Sequence, residues 1–478
     1  MANPEQLRLL KTPAWNEWRK SAPSTTPDLV GADLAGADLT GKDLRGTHFS
    51  NADLTGANFT SADLSGAILT GAKLHNTRFL KTKMENIQLD YADLPQMDFT
   101  GANLKGALLR YAVLKGCNLS AANLMNANLD GAEMQNVNLS VANLEGASLR
   151  GTKLKGANFF DASLKKTSLE NAEAEGANFM KATLSESVLN QAKLQKSRWQ
   201  GARLTQTSAK QADFTECVFN LAELNDCLFD YAVAPRSDFS KAKIRKSYFR
   251  GAQLSRAKLG NAELENCDFS GAVFEETDFR FVKLSGCNFS HATLRGALFF
   301  KVVLTDFNFE AADLSGADFR EVNVLKCSFR NSKLDDGNFR KGQFKECDFS
   351  KSTALDADFG GALLTLCDLQ GVDWSRSDLR FAVLIGSNLR RSRFKYADLT
   401  FADMRETLVG SANFWGATIK KAQIAGSARL GLLPFLIVGK LLFPLQRGLS
   451  KRKVRKEVEK QQRAEQLLQG LTTKTRKH

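Results

Sequence analysis

Every fifth residue from Leu29 to Ile424 is apolar, nearly always Leu or Phe, and no insertion or deletion interrupts the eighty steps. A period this short and this regular predicts a solenoid, in which each unit buries its apolar side only by stacking on its neighbours. Within a unit the order is a small residue, Asp or Asn, the central Leu or Phe, a polar residue and often Gly, as in Ala52, Asp53, Leu54, Thr55 and Gly56. Side chains two apart in an extended strand share a face, so the small and central positions point inward together. The Asp or Asn between them points outward, where its short polar side chain can bond nearby backbone at a bend, and the Gly suits a turn with unusual dihedrals.

The number of units per turn follows from which residue types recur, because like residues stack when the coil returns to the same face. Phe229, Phe249, Phe269, Phe289, Phe309, Phe329 and Phe349 recur every twenty residues, and a second Phe file runs from Phe219 to Phe359, offset by ten, with Leu259 in its one gap. All eight cysteines lie two residues before a central position, in the small slot, and six of them, from Cys227 to Cys367, fall on one twenty-residue file. Twenty is therefore the period. Four units per turn predict an all-β solenoid with four sides and about twenty coils, roughly 95 Å long at the spacing of paired strands. The thiols read as small buried side chains of a reducing compartment, since no CxxC or Cys/His cluster is present.

Runs such as ADLTGANF at 52–59 and ADLSGADF at 312–319 resemble the pentapeptide-repeat proteins. The resemblance covers about four-fifths of the chain and implies a right-handed quadrilateral β-helix whose interior is filled by the central and small residues. WNEWRK followed by PDLVGADL also resembles the helical lead-in of many members. Three segments result: an N-terminal helical cap and linker over 1–28, the β-helix over 29–428, and an apolar and basic C-terminal helical tail over 429–478.

Departures from the pattern mark local events. Central positions shrink at Ala174, Ala209, Ala234 and Ala354, and the small slot swells at Ile87, Met97 and most of all Phe307. Proline cannot donate a ladder bond, so the coil is expected to be least regular around Ala234 and Pro235. Aromatics stand in outward slots near the far end: Phe381, Tyr396, Phe401 and Trp415. Exposed apolar clusters mark docking. The nearest occupant is the chain's own tail, ahead of an external partner.

Outside the ladder, residues 4–20 predict one helix or two short ones, with Pro4 in the first turn and Pro13 as a break. Trp15 and Trp18, three apart, share a face and read as an N-terminal cap that plugs the first coil. At the other end, residues 430–445 are strongly apolar but shorter than the ~20 residues needed to cross a bilayer, and they contain Pro434, Lys440 and Pro444. Lys451, Arg452, Lys453, Arg455 and Lys456 follow at once, a cluster suited to an anionic surface. Val454, Val458, Ala464, Leu467, Leu468 and Leu471 give a weak amphipathic stripe that could pair with a copy of itself. Capping, homodimerisation and anchoring at the membrane surface are the three roles this tail offers.

Charge sharpens the picture. Of the net +14, the last fifty residues contribute 13 basic and 3 acidic side chains, whereas 29–428 carry 49 and 46. The repeat resemblance brings in members that shield type II topoisomerase from quinolones by imitating duplex DNA, a mechanism that requires a markedly acidic exterior. A near-neutral rod disfavours it, Asp33, Asp38, Asp43, Asp53 and Asp63 being too few to reverse that. Direct nucleic-acid binding through the tail is also disfavoured, for want of interleaved aromatics or a reading helix. His48, His75, His291 and His478 form no ligand set or triad, and the glycines are spaced by the repeat rather than as a phosphate loop. No catalytic residue, metal or cofactor is expected. The reading is a non-catalytic scaffold that binds a protein partner along a rod-like surface, the alternatives being the topoisomerase role or an exported effector. The opening residues lack the apolar stretch of a signal peptide, so a bacterial cytoplasmic location, peripheral to the inner membrane where the tail anchors, is the expectation.

Overall fold

The computed structural model describes residues 2–424. The apolar segment, the basic cluster Lys451 to Lys456 and the amphipathic stripe all lie outside the described residues, and with them the expected helical tail. Two short helices, α1 (Pro4–Leu10) and α2 (Trp15–Ser21), precede a parallel β-solenoid. Every turn takes twenty residues: parallel bridges join residue i to i+20 from Asp28–His48 to Asp403–Gln423, at four positions per turn. These four positions are the four sides. On one side ten rungs lengthen to three residues: β1 (Thr183–Ser185), β2 (Arg203–Thr205), β3 (Glu223–Asn225), β4 (Lys243–Arg245), β5 (Glu263–Glu265), β6 (Lys283–Ser285), β7 (Val303–Thr305), β8 (Asn323–Leu325), β9 (Gln343–Lys345) and β10 (Leu363–Thr365).

Each unit satisfies its backbone in the same way. The central N–H donates to the next coil, as Leu29 does to the His48 carbonyl at 2.9 Å, and the N–H before it donates to the previous coil, as Asp53 does to Ala32 at 2.8 Å. Outward Asp and Asn side chains accept from the N–H two residues on, Thr55 to Asp53 at 3.1 Å for example. Asn118, Asn138, Asn158 and Asn178 also bond to one another up one side, amide to carbonyl, at 2.9–3.1 Å. Such ladders recur wherever identical strands stack in register.

The turn slot two residues after each central position is left-handed. Gly31 has φ +66°, as the sequence suggests, but Val141, Leu221, Phe281, Phe381 and Phe401 hold φ +60 to +63° in the same slot. A side chain there costs about 1–2 kcal/mol relative to right-handed backbone. The ladder tolerates it because the slot's N–H is itself paired, Phe401 to the Lys420 carbonyl at 2.9 Å.

The interior is a set of stacked files. Rings from Phe229 to Phe349 stack at 4.6–5.5 Å between centroids, with planes within 28° of parallel. The second Phe file stacks likewise, and the two meet edge to face, Phe299 on Phe309 at 88°. All eight cysteines are buried and unbridged. Polar residues in the small slot bond inward carbonyls one coil back: Thr77 to Leu54 at 3.0 Å and Cys117 to Leu94 at 2.8 Å. The period and register read from the sequence are those of the structure.

One expectation fails. The coil through Ala234 and Pro235 is regular: Ala234 N–H donates to Gln253, Arg236 N–H to Ser255, and Glu216 N–H reaches the Pro235 carbonyl. The reason is positional. Pro235 follows the central residue on a side where the rungs are single bridges, and there the N–H in that slot takes no part in the ladder. In Asp-bearing units it bonds only the Asp side chain, so its loss breaks no rung.

Among the described residues the in-register pairing is interrupted in two places. Lys73 and Arg78 are not bridged to Asp93 and Asp98, and β6 is not paired with β7, which divides the long side into six-stranded and four-stranded sheets. Met97 stands in the small slot between the first two open rungs. Val302 and Phe307 flank β7 in the same slot; the adjacent coils hold Val282 and Val322 beside Val302, but Cys287 and Cys327 beside Phe307. A side chain too large for its slot pushes coils apart, since cores packed to crystal density absorb little extra volume.

Candidate interaction surfaces

The N-terminal helices lie across the first turns through specific bonds. Asn3 N–H donates to the Asp28 carbonyl at 2.8 Å, and Asp28 N–H to Gln6 Oε1 at 2.7 Å. Trp15 is fully buried and its Nε1 donates to the Asp43 carbonyl at 2.8 Å, while Trp18 is half-buried against it, ring centroids 4.9 Å apart. Arg19, also buried, bonds the carbonyls of Thr25 and Arg45 and lies 3.7 Å from Asp43. Trp15 thus faces the coil, and Trp18 packs on Trp15.

The outward aromatics form two pairs on neighbouring corners rather than one cluster. Phe381 stacks on Phe401, centroids 5.0 Å and planes 4° apart, and Tyr396 meets Trp415 edge to face at 4.9 Å. No ring contact joins the pairs. Lysines sit over both: Lys421 over Phe401 at 5.0 Å, and Lys395 over Tyr396 and Trp415 at 5.4 and 5.2 Å. All four rings are exposed, Phe381 to 60%.

A further surface gathers residues that no single motif in the sequence joins. Where β6 and β7 part, a cleft of about 560 Å³ opens on the side of the rod, lined by Leu284, Val302, Val303 and Phe307 and edged by Phe281 and Lys283. Leu284 is the one central residue from Leu29 to Ile419 that is not buried. Phe281 is 80% exposed and Val303 62%. The signal was present in the coincidence of swollen small slots at Val282, Val302 and Phe307 with apolar residues in the outward slots 281 and 303.

Elsewhere the exterior is knit by ion pairs between coils. Glu133 accepts from Lys115 at 2.5 Å and Lys153 at 2.7 Å, hydrogen bonds that hold its carboxyl down at about 2. Asp53 is likewise lowered to about 2, by hydrogen bonds from Thr55 and then Lys73. Arg280, Arg320, Arg380 and Arg405 each clamp the Asp two residues before them. Burial, by contrast, pushes the Cys117 thiol up to about 11 and that of Cys217 to about 12. Among the described residues no three His, Cys, Asp or Glu side chains are grouped to hold a metal ion, and no helix is long and apolar enough to cross a membrane.

The family model for pentapeptide repeats matches the chain in overlapping or adjoining stretches from 28 to 350 and again over 375–408. No protein of curated function matches. Among solved structures the chain is similar to HetL, a pentapeptide repeat protein involved in heterocyst differentiation regulation in the cyanobacterium Nostoc sp. strain PCC 7120. Identity is 21% over 63% of this chain and 87% of that one, with a TM-score of 0.23. QnrB1, a plasmid-mediated fluoroquinolone resistance protein, is similar at 18% identity over 48% of this chain and 99% of its own, with a TM-score of 0.20. Rfr23, a pentapeptide repeat protein from the cyanobacterium Cyanothece 51142, is similar at 22% identity over 39% and 97%, with a TM-score of 0.14. These likenesses carry no inference about partner or role. The repeat matches span well over half of the sequence, and the bridges from residue i to i+20 independently show a twenty-residue turn built of four five-residue units: the chain belongs to the pentapeptide-repeat family.

Proposed function

We propose that the protein is a non-catalytic scaffold that binds a protein partner on the outer faces of its rod. The observation that carries this reading is the pair Phe381 and Phe401, two large aromatic side chains held in solvent at φ +62° and +61°. In this slot Gly is unstrained and a polar side chain would serve solubility, so neither the fold nor the solvent favours Phe. Stacked exposed aromatics have the composition of an interface centre, and Lys421 over Phe401 adds a charged rim. Catalysis is set aside because the carboxylates are taken up by backbone turns and arginine clamps. The same pairing, with the near balance of 49 basic and 46 acidic residues over 29–428, argues against an acidic imitation of duplex DNA.

The test is a photo-reactive amino acid placed at 401 in the full chain, with Gly31 at the other end of the rod as control site. Irradiation in the native host is expected to give a discrete heavier adduct from position 401 alone. An internal crosslink without added mass would assign the aromatics to the chain's own tail and overturn partner docking there, as would equal labelling from both positions.

A further inference from the structure

The parted rungs at β6 and β7 leave more than an apolar cleft. In the next gap between turns the N–H groups at Lys301, Asp306 and Asn323 donate to Arg320, Leu325 and Val302. Their counterparts at Phe281, Gly286 and Val303 have no such bond, and with β6 and β7 unpaired neither does Leu284. The opening is confined to this side: Asp278 remains bridged to Leu298 and Asn288 to Asn308 on the adjoining sides. A short seam therefore presents free backbone donors beside the half-exposed Leu284 and the edge of Phe307.

We infer that this seam is a docking site for a short extended peptide of a partner protein in which a large apolar side chain alternates with carboxylates. The apolar side chain seats between the rungs against Leu284, Val302 and Phe307. Backbone carbonyls or carboxylates of the peptide accept from the freed N–H groups, which is how an extended segment is recognised at an open strand edge. The preference for acidic residues comes from the rim. Arg280, Lys283 and Lys301 line the cleft, and no carboxylate does. Each cation is held by a nearby carboxylate, Asp278, Glu263 and Glu321 respectively. These are exposed pairs worth less than about 1 kcal/mol, and they exchange partners at little cost. Phe281, at φ +63° and four-fifths exposed, stands at the mouth as an apolar contact, with Val303 beside it.

The inference rests on the scaffold reading but uses a different surface, so the two fail separately: loss of crosslinking at 401 leaves it standing, and the reverse holds. The probe is an end-capped, fluorescein-labelled hexapeptide of alternating Glu and Phe, with Lys/Phe and Glu/Ser hexapeptides as controls, titrated against the full chain by anisotropy. The Glu/Phe peptide is expected to bind, and the Phe281→Ser/Val303→Ser double variant to weaken it by about tenfold or more. Both positions are exposed, so folding is preserved, and Lys283→Glu should act in the same direction. Amide exchange at Leu284 and Gly286 should slow when the peptide is present. No binding, binding indifferent to the double variant, or equal binding of the Lys/Phe peptide overturns the proposal. So does concentration-dependent dimerisation that the double variant abolishes, which would assign the seam to a second copy.

Discussion

If Phe307 wedges the coils apart, replacing it with the residue type that the rest of its file carries should close them. Phe307→Cys continues the run of Cys267, Cys287, Cys327 and Cys347. Phe307 is 2% exposed, and truncating a buried Phe where the surroundings cannot collapse costs about 3–5 kcal/mol. Here they can collapse. Closing the seam restores four ladder bonds, from the N–H groups of Phe281, Leu284, Gly286 and Val303, at about 0.5–1.5 kcal/mol each. It also completes the burial of Leu284, a fraction of the 1.5–3 kcal/mol that fully burying a leucine contributes. The two sides cancel to within about 2 kcal/mol. Phe309→Cys is the control, a central residue of a stacked file with no open seam to close, for which the full 3–5 kcal/mol loss is expected. Chemical denaturation gives the stabilities, and hydrogen exchange reads the four amides, which should exchange quickly in the parent and become protected in F307C. A full-size loss in F307C with the amides still unprotected would refute the wedge and leave the seam to another cause.

Three further outcomes follow from the register, and one from the tail. Leu304→Arg buries an unpaired charge and should unfold or open the rod, while Ser315→Arg should stay within about 0.5 kcal/mol by clamping Asp313 as Arg320 clamps Asp318; equal tolerance at both sites would overturn the inner and outer assignment. The eight thiols should ignore a water-soluble disulfide reagent at pH 8 until the protein is denatured, since all eight are buried out of its reach. Glu133 and Asp53 have folded values below their unfolded ones, so their contribution is present above about 4.5 and lost as pH falls towards 2; a melting temperature flat over that window, or unaffected by Lys115→Met/Lys153→Met, would contradict the assigned pairs. If the tail anchors the protein, removing residues 430–478 releases it from anionic vesicles; unchanged pelleting would exclude the tail as an anchor.

Regular features were legible because stacking repeats them. A twenty-residue file of Phe or Cys states both period and register, and it does so many times over, so the solenoid, the inward thiols and the outward Asp and Asn could be read without coordinates. Pro235 was misjudged for want of one detail: which N–H in the five-residue unit belongs to the ladder. The outward aromatics were found one by one, but pairing them needed the corners. Tyr396 and Phe401 are close in sequence yet sit on different corners, while Phe381 and Phe401, twenty apart, touch.

The seam was the least legible feature, although Phe307 stood out in the sequence as the largest departure in its slot. The coils at Ala174, Ala209, Ala234 and Ala354, all buried and all in register, absorb their departures without opening. The two kinds of departure are not symmetric. A deficit of volume is filled by neighbouring side chains while the backbone ladder, which fixes the coil spacing, stays intact. An excess can be relieved only along the rod axis, because the four sides are closed by their own turns, and movement along the axis breaks ladder bonds one side at a time. Pairing is interrupted beside Met97 and beside Phe307 and nowhere among the shrunken positions; the third swollen slot, Ile87, keeps its rungs Lys83–Asn103 and Gln88–Leu108, so excess volume opens the ladder at two of the three swollen positions. In a rod whose interior is otherwise spent on packing, Met97 and Phe307 therefore mark the two places where the ladder opens and backbone and apolar surface come free.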